Sequence, residues 1–137
     1  MLINKNNYKE EIYSATALLL SISKADDIID DQELKLINNI IVDFFDLNAD
    51  NAKKIINKSI KLLNNSTDLY NFGKQLNQSF SYNDKVDFIC CAFEVGYSDK
   101  NLHFREDYFI RKISNILNVE HSDLIAAKAE IKEHLKL

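Results

Sequence analysis

Residues 18–40 read LLLSISKADDIIDDQELKLINNI, and residues 91–113 read CAFEVGYSDKNLHFREDYFIRKI. A shift of 73 positions lays one on the other. Leu20 then meets Phe93, Ile22 meets Val95 and Ile29 meets Leu102. Further on, Leu36 meets Phe109, Ile37 meets Ile110 and Ile40 meets Ile113. Two acids coincide as well, Asp26 with Asp99 and Glu33 with Glu106. Each half therefore reads as a helix, an acidic corner and a second helix. Apolar spacing alone recurs between any two amphipathic hairpins, but matched acids do not, so the repeat predicts two helical hairpins about a pseudo-twofold axis.

Outward from these corners, apolar residues recur at helical spacing and never in sustained alternation. Ile12, Ala15, Leu19 and Ile22 mark a first helix, and Leu34, Ile37, Ile41 and Phe44 a second. Ala52, Ile55, Ser59 and Leu63 mark a third, with Lys54, Lys58 and Lys61 on its solvated side. Leu69, Phe72, Leu76 and Phe80 mark a fourth; Val86, Ile89, Phe93 and Tyr97 a fifth. Phe109, Ile113 and Ile116 mark a sixth, and Leu124, Lys128, Ile131 and Leu135 a seventh. The breaks fall at capping residues: Asn48–Asp50, Asn64–Asp68, Ser81–Asn83 and Glu120–Ser122. The expectation is an all-α chain of about seven helices in a compact bundle. Residues 1–137 form a single domain on this reading, with the repeat at roughly 12–46 and 85–118.

Composition narrows the classes of function. With no Pro and 2 Gly in 137 residues, the chain cannot supply the turns of a β-sandwich. A net charge of -4 argues against a sequence-independent grip on nucleic acid. The N-terminal MLINKNNYKEEIY has no apolar core of a signal peptide, and the longest apolar run, ATALLL, is far below a membrane span. A cytoplasmic protein is the expectation. Its two cysteines, Cys90 and Cys91, are adjacent, point about 100° apart on a helix, and read as reduced packing thiols. No Ser/His/Asp or Cys/His constellation stands at recognisable spacing, and no Gly-rich phosphate loop exists, so the chain reads as non-enzymatic.

The corner acids divide in two. Asp30-Asp31-Gln32-Glu33 fits a capping box, the Asp accepting from the third helical N–H while the Glu reaches back. Glu106 holds the same place after His103. Acids there also suit the positive end of the helix dipole, by roughly 0.3–1 kcal/mol each. Asp26, Asp27 and Asp99 instead follow a helix that is ending, where a carboxylate is disfavoured. One remedy is for the side chain to bend across the corner and accept N–H groups of the next helix. The other is a hard cation: Asp26, Asp30 and Glu33 can converge on Ca²⁺ or Mg²⁺. Should the axis bring the corners together, Asp26, Glu33, Asp99 and Glu106 form one shared site. His103 with Asp99 and Glu106 would suit Zn²⁺, though a solvent-facing His at a cap is the commoner case.

The duplicated pattern of an Asp, a following Gly, an Ile three residues after the Asp and a Glu seven after it resembles the TerB-like domain. That domain is known from tellurite-resistance proteins and from the N-terminal region of DjlA-type membrane co-chaperones. Its copies here are Ala25–Glu33 and Ser98–Glu106, and the resemblance runs from about Tyr8 to the C-terminus. It implies an all-helical module of stress response or tellurite resistance that works through protein partners and binds metal through the corner acids. Any membrane association is then indirect, through a partner, since there is no anchor and no His-Pro-Asp tripeptide of a J domain. The glycine of the pattern is replaced by Asp27 and Lys100. Gly takes φ > 0 cheaply, Asp less so and Lys least. A metal-free helical scaffold or protein-interaction module is the alternative.

Overall fold

The computed structural model describes residues 10–23, 29–65 and 68–137. Seven helices run through them in order: α1 (Glu10–Ser23), α2 (Asp31–Phe45), α3 (Ala49–Asn65), α4 (Leu69–Ser79), α5 (Tyr82–Gly96), α6 (Phe104–Ile116) and α7 (His121–His134). No strand occurs among the described residues. All seven match the helices expected from spacing.

The segment ATALLLSIS mixes small residues with Leu and Ile, so every face of a helix built from it is small or apolar, and such a helix belongs inside. Ile12 and all of Ser14–Ser23 are buried accordingly, well beyond the single face marked by Ile12, Ala15, Leu19 and Ile22. Helices α2, α3, α4, α5 and α6 all pack on it. Two of its hydroxyls are absorbed locally: Thr16 Oγ1 donates to Ile12 O at 2.7 Å and Ser21 Oγ to Leu18 O at 2.6 Å. Ser59 of α3 donates to Tyr13 O at 3.4 Å. The outer face of α3 is solvated as its lysines suggested, with Lys58 Nζ 4.6 Å from the Tyr13 ring centroid. Phe44, Phe45, Phe80 and Phe88 close the core between α2, α4 and α5 with ring centroids 4.9–6.2 Å apart.

The 73-residue shift carries Ser23, the last residue of α1, onto Gly96, the last of α5. It carries Asp31, the first of α2, onto Phe104, the first of α6. Burial follows the same register. Leu20, Phe93, Ile22, Val95, Ile37 and Ile110 are all at most 1% exposed, and Ile29, Leu102, Leu36 and Phe109 are all half-buried.

The left-handed turns that follow helices are made without glycine. Asp46 (φ 54°), Asn118 (φ 58°) and Lys136 (φ 60°) take the left-handed conformation after α2, α6 and α7. Behind them Leu47 N–H reaches Val42 O at 3.0 Å and Val119 N–H reaches Ser114 O at 3.0 Å, the backbone pattern of a Schellman end. Both glycines serve close approach, Gly73 inside α4 and Gly96 as the last residue of α5. A Cβ on Gly73 of α4 would lie 2.2 Å from Ile116 Cγ2, and one on Gly96 would lie 2.7 Å from Leu102 Cδ1.

One cap differs from expectation. Asn48, Asp68 and Ser81 cap α3, α4 and α5 through their side chains, as the breaks suggested. At α7 the N-cap is Glu120, whose side chain caps nothing. Tyr82 of α5 does the work from across the fold: its hydroxyl accepts the Glu120 N–H at 3.1 Å and donates to the Asp123 carboxylate. A capping group 38 residues away leaves no local trace in the sequence.

Candidate functional site at the acidic corners

At the second corner α5 stops because the chain turns, not because a side chain breaks it. Tyr97 N–H still reaches Phe93 O at 2.8 Å. Lys100 N–H then closes on Tyr97 O at 2.8 Å with Lys100 at φ 72°. The position where the duplicated pattern has Gly is thus left-handed here and filled by Lys, at a cost of roughly 1–2 kcal/mol.

Asp99 sits just past the helix end, where the dipole disfavours it. The side chain bends forward within the corner and stops short of the N–H groups of α6. Oδ1 accepts the Asn101 N–H at 3.1 Å, and Oδ2 lies 2.9 Å from His103 Nε2. Partial burial would push the Asp99 carboxyl up, but the bonds from His103 and Asn101 outweigh it and hold the group below its ordinary range. The side chain remains 57% exposed.

His103 is the N-cap of α6, and its backbone N–H donates to Glu106 Oε1 at 3.1 Å. Glu106 is only 2% exposed. The two second-corner acids are therefore in different environments: Asp99 faces water beside His103, and Glu106 lies under the first turn of α6.

At the first corner the capping box forms as read. Glu33 N–H donates to Asp30 Oδ1 at 2.8 Å, and Asp30 N–H is 3.5 Å from Glu33 Oε1. Asp30 and Asp31 are exposed and Glu33 is half-buried. Asp26 and Asp27 lie outside the described residues.

Ca²⁺ takes about 6–8 oxygen ligands. Among the described residues no three His, Cys, Asp or Glu side chains converge on a point where an ion could sit. The donor set of the second corner alone, one exposed carboxylate beside an imidazole, does not make a cage for a hard cation. It offers one ligand to an ion that would keep most of its water.

The thiols are held protonated. Burial and then the Glu130 carboxylate push Cys90 up to about 12; burial and Glu94 do the same for Cys91. Neither is activated as a nucleophile or soft-metal ligand.

Sequence reasoning passed over three features: the burial of Glu106 and, beside it, Phe104, which is 85% exposed at the first position of α6, and the Tyr82 clasp at the far end of α5. Phe104 had a signal, since it falls off the face marked by Phe109, Ile113 and Ile116. The other two depend on how helices are placed.

The chain is thus an all-α module organised by two helix–acidic corner–helix units in one register, with no helix among the described residues long and apolar enough to cross a membrane. The family model described as tellurite resistance protein TerB matches residues 13–129, and the chain belongs to that family. Comparison with curated proteins and with solved structures gives no match.

Proposed function

We propose that this chain is a non-enzymatic TerB module of a bacterial stress response, tellurite resistance being the role its family suggests. On this reading it acts in the cytoplasm by docking protein partners, and a divalent cation, Ca²⁺ or Mg²⁺, bears on its acidic corners. The observation that supports it most is Asp99, an exposed carboxylate at a duplicated corner, in a chain whose thiols are unreactive. Fold and family alone do not assign a role, so the test is direct. Calorimetry and thermal melting with Ca²⁺ and Mg²⁺ are run on the native chain and on the Asp26→Asn/Asp99→Asn double variant. Heat and a raised Tm in the native chain, both lost in the variant, support the cation part. No heat and no shift at millimolar cation eliminate it.

A second reading has its own observation. Asp30, Glu33, Asp99 and Glu106 each already accept a protein hydrogen bond within their corner. A scaffold whose acids only cap and clasp its corners needs no ion, and its function then lies wholly in its docking surfaces.

A further inference from the structure

Against the second corner, on the side facing α7, lies an open cavity of about 550 Å³. Its charged lining is three lysines against one carboxylate: Lys100 from the corner, Lys128 and Lys132 from α7, and Asp107 from α6. Asp107 is already engaged, by Arg111 Nε at 2.8 Å and by Lys128 Nζ at 3.4 Å. Lys100 and Lys132 make no ion pair among the described residues. A chain of net charge -4 thus gathers uncompensated positive charge at one place.

The same cavity carries apolar surface that the fold does not use. Phe104 is 85% exposed and Leu137 44%. The buried face of α6 is Glu106, Ile110, Ile113 and Ser114, so nothing in the packing calls for an aromatic at 104. An aromatic anchor ringed by lysines has the composition of a recognition surface, with aromatics at its centre and charge at its rim. No arginine lines it, so the planar two-pronged grip that singles out phosphate is missing.

We propose that this cavity docks an acidic segment of a partner protein, one apolar side chain of that segment packing on Phe104 and Leu102 while flanking carboxylates meet Lys100 and Lys132. The left-handed turn at Lys100, pinned by its N–H to Tyr97 O, and the one-turn spacing of Lys128 and Lys132 set the charges on fixed backbone around the anchor. The inference rests on the docking part of the reading above and is independent of the cation part.

The test is selection of a random twelve-residue phage-displayed peptide library on the full chain, followed by fluorescence anisotropy with the most enriched peptide. The expected peptides carry Asp or Glu on either side of a Leu, Ile, Phe or Trp. Phe104→Ala and Lys132→Glu each weaken binding at least tenfold with unchanged Tm, since both sites are exposed, and 0.5 M NaCl weakens it further. No enrichment, enrichment of peptides without acids, or binding by either variant as tight as by the native chain overturns the proposal. So does full displacement by 1 mM inorganic phosphate, which would make the cavity an anion site. A doubled mass in light scattering that Phe104→Ala abolishes also overturns it, the face then serving a second copy of the chain. Cation titration of Phe104→Ala, which leaves the corner acids intact, keeps failure here distinct from failure of the cation reading.

Discussion

Helices α1 and α5 hold the same place in the repeat and end in the same register, yet they live in different surroundings. In α1, 11 of 14 residues are buried, whereas α5 buries 6 of 15. The matched pair Ala17 and Cys90 shows it most plainly: Ala17 is 0% exposed and Cys90 is half-buried. Among the described residues α4 packs on α1 and α6, adding a cover to α1. Gly73 lets it come close, and Asn77 Nδ2 ties it to Ile116 O at 2.9 Å. A duplicated hairpin sets which residues are alike, and the element added between the copies sets which of them is inside.

That contrast predicts its own largest effect. The same substitution, Ala17→Lys and Cys90→Lys, is expected to diverge. At 17 it leaves an uncompensated charge in the core, costing about 3–5 kcal/mol in chemical denaturation. That is a large share of a typical domain's total of roughly 5–15 kcal/mol. At 90 the ammonium meets Glu130, Asp87 and Glu94, and stability stays within about 0.5 kcal/mol. Equal losses at the two sites would break the comparison.

Next in size is the cover itself. Gly73→Ala improves helix propensity by about 1 kcal/mol, but its methyl would sit 2.2 Å from Ile116 Cγ2. A net loss of roughly 1–2 kcal/mol is expected from overpacking. Ile116→Ala in the same chain removes the clashing methyl, so the double variant should cost less than the sum of the two single changes. Strict additivity would show that α4 does not press on α6 at this point.

A smaller effect of opposite sign lies at the corner. Lys100→Gly relieves a left-handed lysine and is expected to stabilise by roughly 0.5–1 kcal/mol, net of the greater freedom glycine brings to the unfolded chain. The docking proposal requires the same variant to weaken peptide binding, so stability and binding should move in opposite directions.

The smallest expected effect is a pH dependence. Asp99 has a depressed folded value, so its contribution is present above the ordinary carboxylate range near 4 and is lost as pH falls through its folded value. Glu94 on α5 runs the other way. Burial raises its folded value, so some stability is lost as pH rises from the ordinary range through that value. Asp99→Asn should flatten the acid side of a plot of melting temperature against pH, and Glu94→Gln should flatten the segment above it. An unchanged acid limb in Asp99→Asn would show that the His103 bond contributes nothing in solution.

Asp30 and His103, the matched N-caps, carry a second form of the contrast. Asp30 turns inward to its own helix and accepts the Glu33 N–H, while the His103 ring turns back to Asp99. The Asp30 cap serves its own helix, whereas His103 joins the end of α5 to the start of α6. The register was legible because burial repeats with the apolar pattern, and the Asp30 box because its partner is three residues away. The burial of Glu106 was not legible, since it depends on how neighbouring helices are laid over the first turn of α6.

By itself the sequence determined the helices, their order, the repeat and the family, because these rest on periodicity and on contacts a few residues apart. Local chemistry also decided that Asp99 needed a partner, since an acid at a helix end has one wherever the helix is placed. Tertiary structure decided the rest: α1 rather than α5 as the central helix, the Tyr82 clasp on α7, and the meeting of Lys100, Phe104 and Lys132 around one cavity. Those features join residues 28 to 38 positions or more apart, and their energy comes from how helices are laid together. No local pattern carries that information.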